Sequence, residues 1–252
     1  MHIRDGIELG SLTDVGCQRA NNEDQFSYWE PLSDEEFSRK GRLLLVADGM
    51  GGHEGGQEAS RIAVEAVQMV YDTGLESNPQ TLLVAGIRAA HHLIQDYGKT
   101  NPSLKGMGTT CTAVALVGRQ AYYAHVGDSR LYLLRGSGIS QLTHDHSYVG
   151  HLIDSGMISP EEAESHPQRH ILTAALGAGP DISPDVPEQP ITLQSDDGLL
   201  LCTDGLWSLV SDRELQDATS GRSPSDACRE LVQLAKSRGG PDNITLQVLK
   251  LR

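Results

Sequence analysis

The segment from residue 109 to residue 142, TTCTAVALVGRQAYYAHVGDSRLYLLRGSGISQL, holds three or four apolar, β-branched stretches joined by the short turns VGRQ, VGDS and RGSG. Turns this short connect antiparallel neighbours, because a parallel pair needs a crossover of about a dozen residues or more. We predict strands at 109–116, 121–126 and 130–134. Since the helical patterns lie in blocks elsewhere, the predicted fold class is α+β, with helices layered outside antiparallel sheets.

The chain on either side adds further strands and helices. Strands are predicted at 8–13, 25–29, 43–47, 198–202 and 244–249. Helical periodicity is clearest at 56–74, 79–98 and 223–240, each of which ends at a glycine. No Pro/Ser-rich linker and no internal repeat interrupts the pattern, so residues 1–252 are predicted to form a single domain.

Composition limits the functions that the chain can have. Hydrophobic residues make up 38% and charged residues 21%, as in a folded globular protein. Apolar runs are too short to span a bilayer and no secretory signal is visible, so a cytoplasmic protein is expected. The net charge of −14 argues against nucleic-acid and membrane partners. The four cysteines lack metal-site spacing and are expected to be buried, reduced thiols.

Two apolar strands end in the same dipeptide, Asp-Gly. RLLLVADGMGGH begins at Arg42 and GLLLCTDGLWSL begins at Gly198, and acidic residues also fall in RANNED (19–24), VGDSR (126–130) and GGPDNIT (239–245). An aspartate at a strand end lies on rigid backbone, and the glycine after it allows close approach of a ligand. Carboxylate and carbonyl oxygens suit Mg²⁺ or Mn²⁺, whereas zinc would require Cys or His.

Taken in order, eight motifs resemble those of the metal-dependent protein serine/threonine phosphatases of type 2C, the PPM family, in their bacterial form. The matching motifs are R-x-x-N-E-D at 19–24, D-G-M-G-G-H at 48–53, M-G-T-T at 107–110, V-G-D-S-R at 126–130, L-T-x-D-H-S at 142–147, H-P-Q-R at 166–169, D-G-L-W at 204–207 and G-x-P-D-N-I-T at 239–245. The resemblance extends from about Ile7 to Leu249.

This resemblance implies a four-layer α-β-β-α sandwich with two antiparallel β-sheets flanked by helices, and the acidic clusters at one edge. It implies an enzyme that hydrolyses phosphoserine and phosphothreonine in phosphoproteins, including those of a Ser/Thr kinase, in signalling. A hydroxide that bridges two metal ions would attack phosphorus in line, without a phosphoenzyme. The alternative is a catalytically weak phosphoprotein-binding regulatory module of the same fold. A nuclease or small-molecule phosphatase is disfavoured by the acidic charge and the motif order.

The resemblance also implies a ligand set for Mn²⁺ or Mg²⁺. Asp48 would bridge two ions, with the Gly49 carbonyl on one of them. Asp204 and Asp242 would hold the other ion. The remaining implied ligands are Glu23, or Asp24 through water, on the Gly49 side, and Asp128, which would share a third ion with Asp204. The alternative for Asp128 is a structural turn pair with Arg130.

Three further roles concern the substrate. Arg19 is the candidate phosphate clamp, because a guanidinium gives two parallel hydrogen bonds to phosphate. The general acid is either His53 or a metal-bound water, since Met50 stands where animal members place their acid. By the same resemblance, residues 148–169 correspond to the mobile flap of bacterial members, which implies a role in substrate access, with Gly150 and Gly156 permitting bending and His170 at its end. The THDHS sequence (143–147) is expected to cap a helix that begins near His146.

Overall fold

In the computed structural model, which describes residues 3–51, 54–164 and 166–252, eleven strands form two sheets. The strands are β1 (Ile7–Asp14), β2 (Asp24–Trp29), β3 (Arg42–Met50), β4 (Gly108–Thr109), β5 (Cys111–Val117), β6 (Gln120–Val126), β7 (Arg130–Arg135), β8 (Gly138–Gln141), β9 (Ile191–Thr192), β10 (Gly198–Cys202) and β11 (Ile244–Leu251). One sheet has the order β1-β11-β10-β7-β8, and the other has β2-β3-β5-β6-β9 with β4 on β3. All of these pairs are antiparallel.

Helices cover the outer faces of both sheets. They are α1 (Asp34–Lys40), α2 (Glu54–Thr73), α3 (Pro79–Thr100), α4 (Tyr148–Asp154), α5 (Pro160–Glu164), α6 (Asp204–Trp207), α7 (Asp212–Thr219) and α8 (Pro224–Ser237), with a 3₁₀ turn at Pro102–Leu104. Helices α2 and α3 lie against the β3 sheet, while α7 and α8 lie against the β11 sheet. The result is the four-layer α-β-β-α sandwich that was predicted. None of the helices in the described ranges combines the length and apolar character needed to cross a bilayer.

The apolar run of β3 is explained by its position between two layers. Leu43 and Leu45 face the core under α2, whereas Leu44 and Val46 face the core between the sheets. Successive side chains of a strand point to opposite faces, so a strand that is buried on both faces needs an unbroken apolar run. The LLLC run of β10 is divided in the same way between the inter-sheet core and the core under α8.

Several details differ from the sequence prediction. The short strands β8 and β9 and the polar helices α1 and α7 were not predicted, because they lack a long apolar period. Helix α7 nevertheless carries a readable start signal, the capping box of Ser211 and Glu214. Helix α4 is capped by the Ser147 side chain. The prediction that all four cysteines are buried is wrong for Cys17, which is exposed in a loop.

Candidate metal and phosphate site

The two sheets meet at one end of the sandwich, where acidic residues collect. Asp24 begins β2 and is paired in register with Asp48, near the end of β3. Asp204 follows β10, and Asp242 precedes β11. The Thr203 hydroxyl donates to Asp24 Oδ2 at 2.8 Å and thereby joins one sheet to the other. Strand ends from both sheets therefore bring carboxylates from distant parts of the chain to a single edge.

The main chain of Asp48 is held by two threonines. The Asp48 N–H donates to Thr110 Oγ1 at 2.9 Å, and the Thr110 N–H donates to the Asp48 carbonyl at 2.9 Å. The Thr109 hydroxyl donates to the same carbonyl, also at 2.9 Å. Because these bonds fix the backbone, the Asp48 carboxylate cannot easily move away from its acidic neighbours. The M-G-T-T motif thus has a positioning role.

Gly49 and Glu23 lie against the start of helix α2. The Gly49 N–H donates to the Glu23 carbonyl at 3.2 Å, and the Ser60 hydroxyl donates to the same oxygen at 2.6 Å. A Cβ atom at Gly49 would lie 2.0 Å from the Gly56 carbonyl, and one at Gly56 would lie 2.0 Å from Glu23 Oε2. Both glycines are therefore required by close packing, which places the Glu23 carboxylate against this helix.

Asn243 connects the segments that carry the candidate ligands, a role that was not predicted. Its Oδ1 accepts from the Glu23 N–H at 2.8 Å, while its Nδ2 donates to the carbonyls of Val15 and Asn21 at 2.9 and 3.0 Å. A Cβ atom at Gly205 would lie 1.9 Å from the Asn243 carbonyl. The only local signal for this role is an asparagine that directly follows a candidate ligand at the start of a strand.

Arg19 lies at the open side of the site and pairs with Asp242. The distance from Arg19 Nη2 to Asp242 Oδ2 is 2.7 Å, and about half of the arginine side chain (52%) is exposed. The hydrogen bond to Asp242 raises the pKa of Arg19, so the guanidinium stays charged. An exposed guanidinium at the rim can turn to a phosphate without rearrangement of the core.

The carboxylates raise one another's pKa. Burial raises the pKa of Asp48 well above its usual range, and the charges of Asp24 and Asp204 raise it further. Burial and the charge of Asp204 also raise the pKa of Asp128. For Asp204 itself, burial and the charge of Asp242 have the same effect. Burial raises the pKa of Asp24 to about 7, against the opposing hydrogen bonds of Thr245 and Thr203. Bound cations would relieve this repulsion.

The donor atoms fit hard divalent ions. Asp24 Oδ1 and Asp204 Oδ1 are buried and have no hydrogen-bond partner among the described residues, which leaves them available as ligands. In the described part of the chain, no three His, Cys, Asp or Glu side chains already converge as a finished metal site. Mg²⁺ commonly keeps several waters and takes only one or two protein carboxylates, so a complete protein cage is not required. The all-oxygen set suits Mg²⁺ or Mn²⁺.

Asp128 lies in the loop between β6 and β7 and is buried, with 7% of its surface exposed. Its carbonyl accepts a hydrogen bond from Trp207 Nε1 at 2.9 Å. Arg130 does not form the turn pair with Asp128 that was the structural alternative. It forms its ion pair with Asp145, at 2.6 Å. Within the described ranges, no arginine bonds to the Asp128 carboxylate, which lies within the electrostatic influence of Asp204 and Asp145.

The remaining predicted residues have no described hydrogen bond to the carboxylates of the site. His53 lies outside the described residues. Gly150 is in the first turn of α4, where a Cβ atom would lie 2.5 Å from the Asp145 carbonyl, so packing explains it better than bending. Gly156 has a φ of 69° in the turn after α4. His170 is exposed and directly follows the predicted flap segment 148–169.

Comparison with known proteins defines the class to which this fold and site belong. The protein phosphatase 2C family model matches residues 18–237. Protein phosphatase PhpP of Streptococcus pneumoniae is 38% identical over 254 residues, which cover 97% of this chain and 98% of PhpP. The chain therefore belongs to the protein phosphatase 2C family, as its motifs predicted, and the predicted enzyme class, a protein phosphatase, is confirmed.

Solved structures agree with the fold. The serine/threonine phosphatase PstP/Ppp of Mycobacterium tuberculosis superposes with a TM-score of 0.87 at 36% identity, covering 98% of this chain and 99% of that one. The catalytic domain of PstP in complex with two manganese ions gives a TM-score of 0.84 at 34% identity, covering 98% of both chains. The predicted α+β sandwich is confirmed, and the manganese complex confirms the predicted divalent cofactor in a family member.

Proposed function

We propose that this protein hydrolyses phosphoserine and phosphothreonine in phosphoproteins and depends on Mn²⁺ or Mg²⁺ bound at the carboxylate edge. The observation that carries the proposal is the set of buried aspartates that raise one another's pKa there. When bound, the ions would lower the pKa of a water molecule at the site. That water could then serve as the nucleophile for in-line hydrolysis in one step.

Each acidic residue has a proposed part in holding the ions. Asp48, on its fixed backbone, would contribute to both ions, and the Gly49 carbonyl would contribute to the ion on its own side. Asp204 and Asp242 would hold the second ion. Glu23, or Asp24 through water, would support the first ion, and Asp128 would share a third with Asp204. The unpartnered Asp24 Oδ1 and Asp204 Oδ1 support these assignments.

Arg19 is proposed to exchange partners when ion and substrate bind. Its guanidinium pairs with Asp242 at 2.7 Å, and Asp242 is a proposed ligand. Where Asp242 serves as a ligand, the Arg19 guanidinium would give up this partner and would be free to bind phosphate with two parallel hydrogen bonds. Arg19 would thus act as the phosphate clamp. His53 remains a proposed general acid, with a metal-bound water as the alternative.

A route through a cysteine phosphoenzyme is disfavoured for the three buried cysteines, whereas Cys17 is exposed in a loop with its Sγ 3.8 Å from the Lys236 carbonyl. Cys111, Cys202 and Cys228 are buried. Burial raises the pKa of the Cys111 thiol to about 12, which removes the thiolate that a nucleophilic role would need. Direct hydrolysis by water needs no thiolate from these buried cysteines.

We also propose that residues 1–252 form one phosphatase domain and that residues 148–169 act as a flap over the substrate. Phosphorylated proteins, including those made by a Ser/Thr kinase, are the proposed partners, in cytoplasmic signalling without nucleic-acid or membrane binding. The net charge of −14 supports the last point. Because Asp48, Asp204 and Asp242 are all present, the alternative of a catalytically weak regulatory module is disfavoured.

The test is hydrolysis of a phosphothreonine peptide by the purified protein. We expect phosphate release with Mn²⁺ or Mg²⁺, loss of release in EDTA, and recovery when excess Mn²⁺ is restored. A phosphotyrosine peptide of the same sequence serves as the control for substrate class. Binding of the phosphothreonine peptide without turnover at any metal concentration would instead support the regulatory module. Turnover that persists unchanged in EDTA would overturn the metal-dependent proposal.

A further inference from the structure

An indole ring joins the two segments that carry Asp128 and Asp204. Trp207 is the last residue of α6, three residues after Asp204, so it lies on the adjacent part of the same helical turn. Its Nε1–H donates to the Asp128 carbonyl at 2.9 Å. This bond is neutral, so it connects the two acidic segments without adding a charge to a site that is already crowded with them.

An arginine holds the indole in place. The Arg130 guanidinium carbon lies 3.6 Å from the centre of the Trp207 ring. The same guanidinium forms a bidentate ion pair with Asp145, in which Nε donates to Oδ1 at 3.0 Å and Nη2 donates to Oδ2 at 2.6 Å. Both partners are largely buried, with 19% and 13% of their side chains exposed. A planar guanidinium that is fixed in this way offers a rigid face for ring stacking.

Asp145 in turn supports the base of the flap. Its Oδ1 accepts from Gln141 Nε2 at 3.0 Å, and its carbonyl accepts from the Ser147 N–H at 2.8 Å. The close approach of Gly150 to the same carbonyl seats the first turn of α4 directly on Asp145. A continuous set of contacts therefore runs from the flap helix, through Asp145 and Arg130, to Trp207.

We propose that Trp207, Arg130 and Asp145 are positioning residues that fix the spacing of Asp128 and Asp204, and thereby set the affinity for the divalent ion that these two carboxylates share. Like charges at close range drive the two segments apart, and the indole bond and its stacked arginine oppose that movement. The inference rests on the proposed function, because the ion shared by Asp128 and Asp204 is part of that proposal. To that proposal it adds the three residues that hold the two carboxylates at the spacing an ion requires.

The decisive variant is Trp207→Phe, which keeps an aromatic face for Arg130 but removes the N–H donor. Trp29→Phe is the matched control, because Trp29 packs against Tyr71 in the core under α2, away from the carboxylates. Mn²⁺ binding is measured without substrate by electron paramagnetic resonance of the free ion. The Mn²⁺ concentration for half-maximal hydrolysis of the phosphothreonine peptide is measured alongside.

We expect Trp207→Phe to weaken the Mn²⁺ binding step at Asp128 and Asp204 by about three- to tenfold, the effect of losing one neutral hydrogen bond. The half-maximal Mn²⁺ concentration should rise by the same factor, while the KM for the peptide at saturating Mn²⁺ stays the same. Trp29→Phe should change neither quantity. A purely structural role would lower the melting temperature of the metal-free protein without a selective change in Mn²⁺ affinity, and that result would overturn the proposal.

Arg130→Lys provides a second route if Trp207→Phe does not fold. Lysine retains a positive charge beside Asp145 but has neither the planar face nor the fork, so the same selective loss of Mn²⁺ affinity is expected. Unchanged Mn²⁺ binding in this variant would also contradict the inference. If the wild-type protein binds Mn²⁺ but hydrolyses no phosphopeptide, the proposed function fails, while the binding comparison still decides the role of Trp207.

Discussion

The two Asp-Gly pairs look alike in sequence but occupy different backbone settings. Asp48 and Gly49 remain inside β3, where Asp48 is paired across the sheet with Asp24. Asp204 and Gly205 leave β10 and begin the short helix α6. The first pair is thus part of a strand held on both sides, and the second is the opening of a turn that also carries Trp207. The same dipeptide supplies a carboxylate from within a strand in one sheet and from the start of a helix beside the other.

The glycines show what the two pairs share. A Cβ atom would come within 2.0 Å of a carbonyl oxygen at Gly49 and within 1.9 Å at Gly205. In each case the carbonyl belongs to a neighbouring segment, Gly56 in one and Asn243 in the other. The glycine therefore allows a second piece of backbone to pack beside the aspartate, which is a different role from the open access for a ligand that the sequence suggested.

The largest expected effect is the loss of activity on removing either carboxylate. Asp48→Asn and Asp204→Asn should each lower kcat for the phosphothreonine peptide by more than about 100-fold, since even residues that only support a metal ligand cost up to that factor. Stopped assays at saturating Mn²⁺ measure the change. Asp217→Asn is the control, because that carboxylate is exposed on α7 (72%) and should be silent.

The two Asp-Gly pairs can be compared directly through the melting temperatures of their variants in the metal-free protein. Because Asp48 is fixed and surrounded by like charges, Asp48→Asn should raise the melting temperature without metal more than Asp204→Asn does. An equal rise for both variants would show that the rigid strand setting of Asp48 has no energetic consequence.

A smaller effect is expected from filling the space beside each glycine. Gly49→Ala and Gly205→Ala should each lower the free energy of unfolding by about 2–3 kcal/mol, because the methyl group would overlap a main-chain oxygen that cannot move freely. Urea denaturation followed by circular dichroism measures this. Gly138→Ala is the matched control, since its nearest atom would be at an ordinary 3.5 Å. If Gly205→Ala alone were tolerated, the turn at α6 would be more adaptable than β3.

The smallest expected effect concerns pH. Asp24 has a folded pKa of about 7 against an ordinary value of 3.8, so its contribution to stability is complete below pH 3.8 and is lost as pH rises through 7. The melting temperature of the metal-free protein should therefore fall by a few degrees between pH 5 and pH 8, and Asp24→Asn should flatten this dependence. Saturating Mn²⁺ should reverse the trend, because ions compete with protons for the carboxylates. A metal-free melting temperature that rises over this range would contradict the assignment.

Sequence patterns predicted the main strands because most of them are apolar runs bounded by turns. Strand β3 was recognisable because burial on both faces demands the unbroken run LLLVA. Helix α1 and strand β8 were missed because their side chains are mostly polar and exposed, so neither has an apolar period to detect. The candidate ligands were predicted from the order of the motifs, because that order shows where carboxylates occur along the chain.

The contacts between those motifs were not predictable. Arg130 has an aspartate two residues before it, yet it pairs with Asp145, fifteen positions further along. Asn243 was quoted within a motif, but its hydrogen bonds to Glu23 and Asn21 reach across more than 200 residues. Choices of this kind depend on which segments the sheets bring together, and no local pattern encodes them.

The pairing of β1 with β11 has a consequence for biosynthesis. Among the described strands, β1 has β11 as its only neighbour, in the register Ile7 opposite Leu251. A nascent chain leaving the ribosome must therefore hold its first strand unpaired until its last strand emerges. Contacts so distant along the chain slow folding. Because Asp242 lies just before β11, a partly synthesised phosphatase would lack both the closed sheet and a proposed ion ligand, and could not remove phosphates before synthesis reaches that strand.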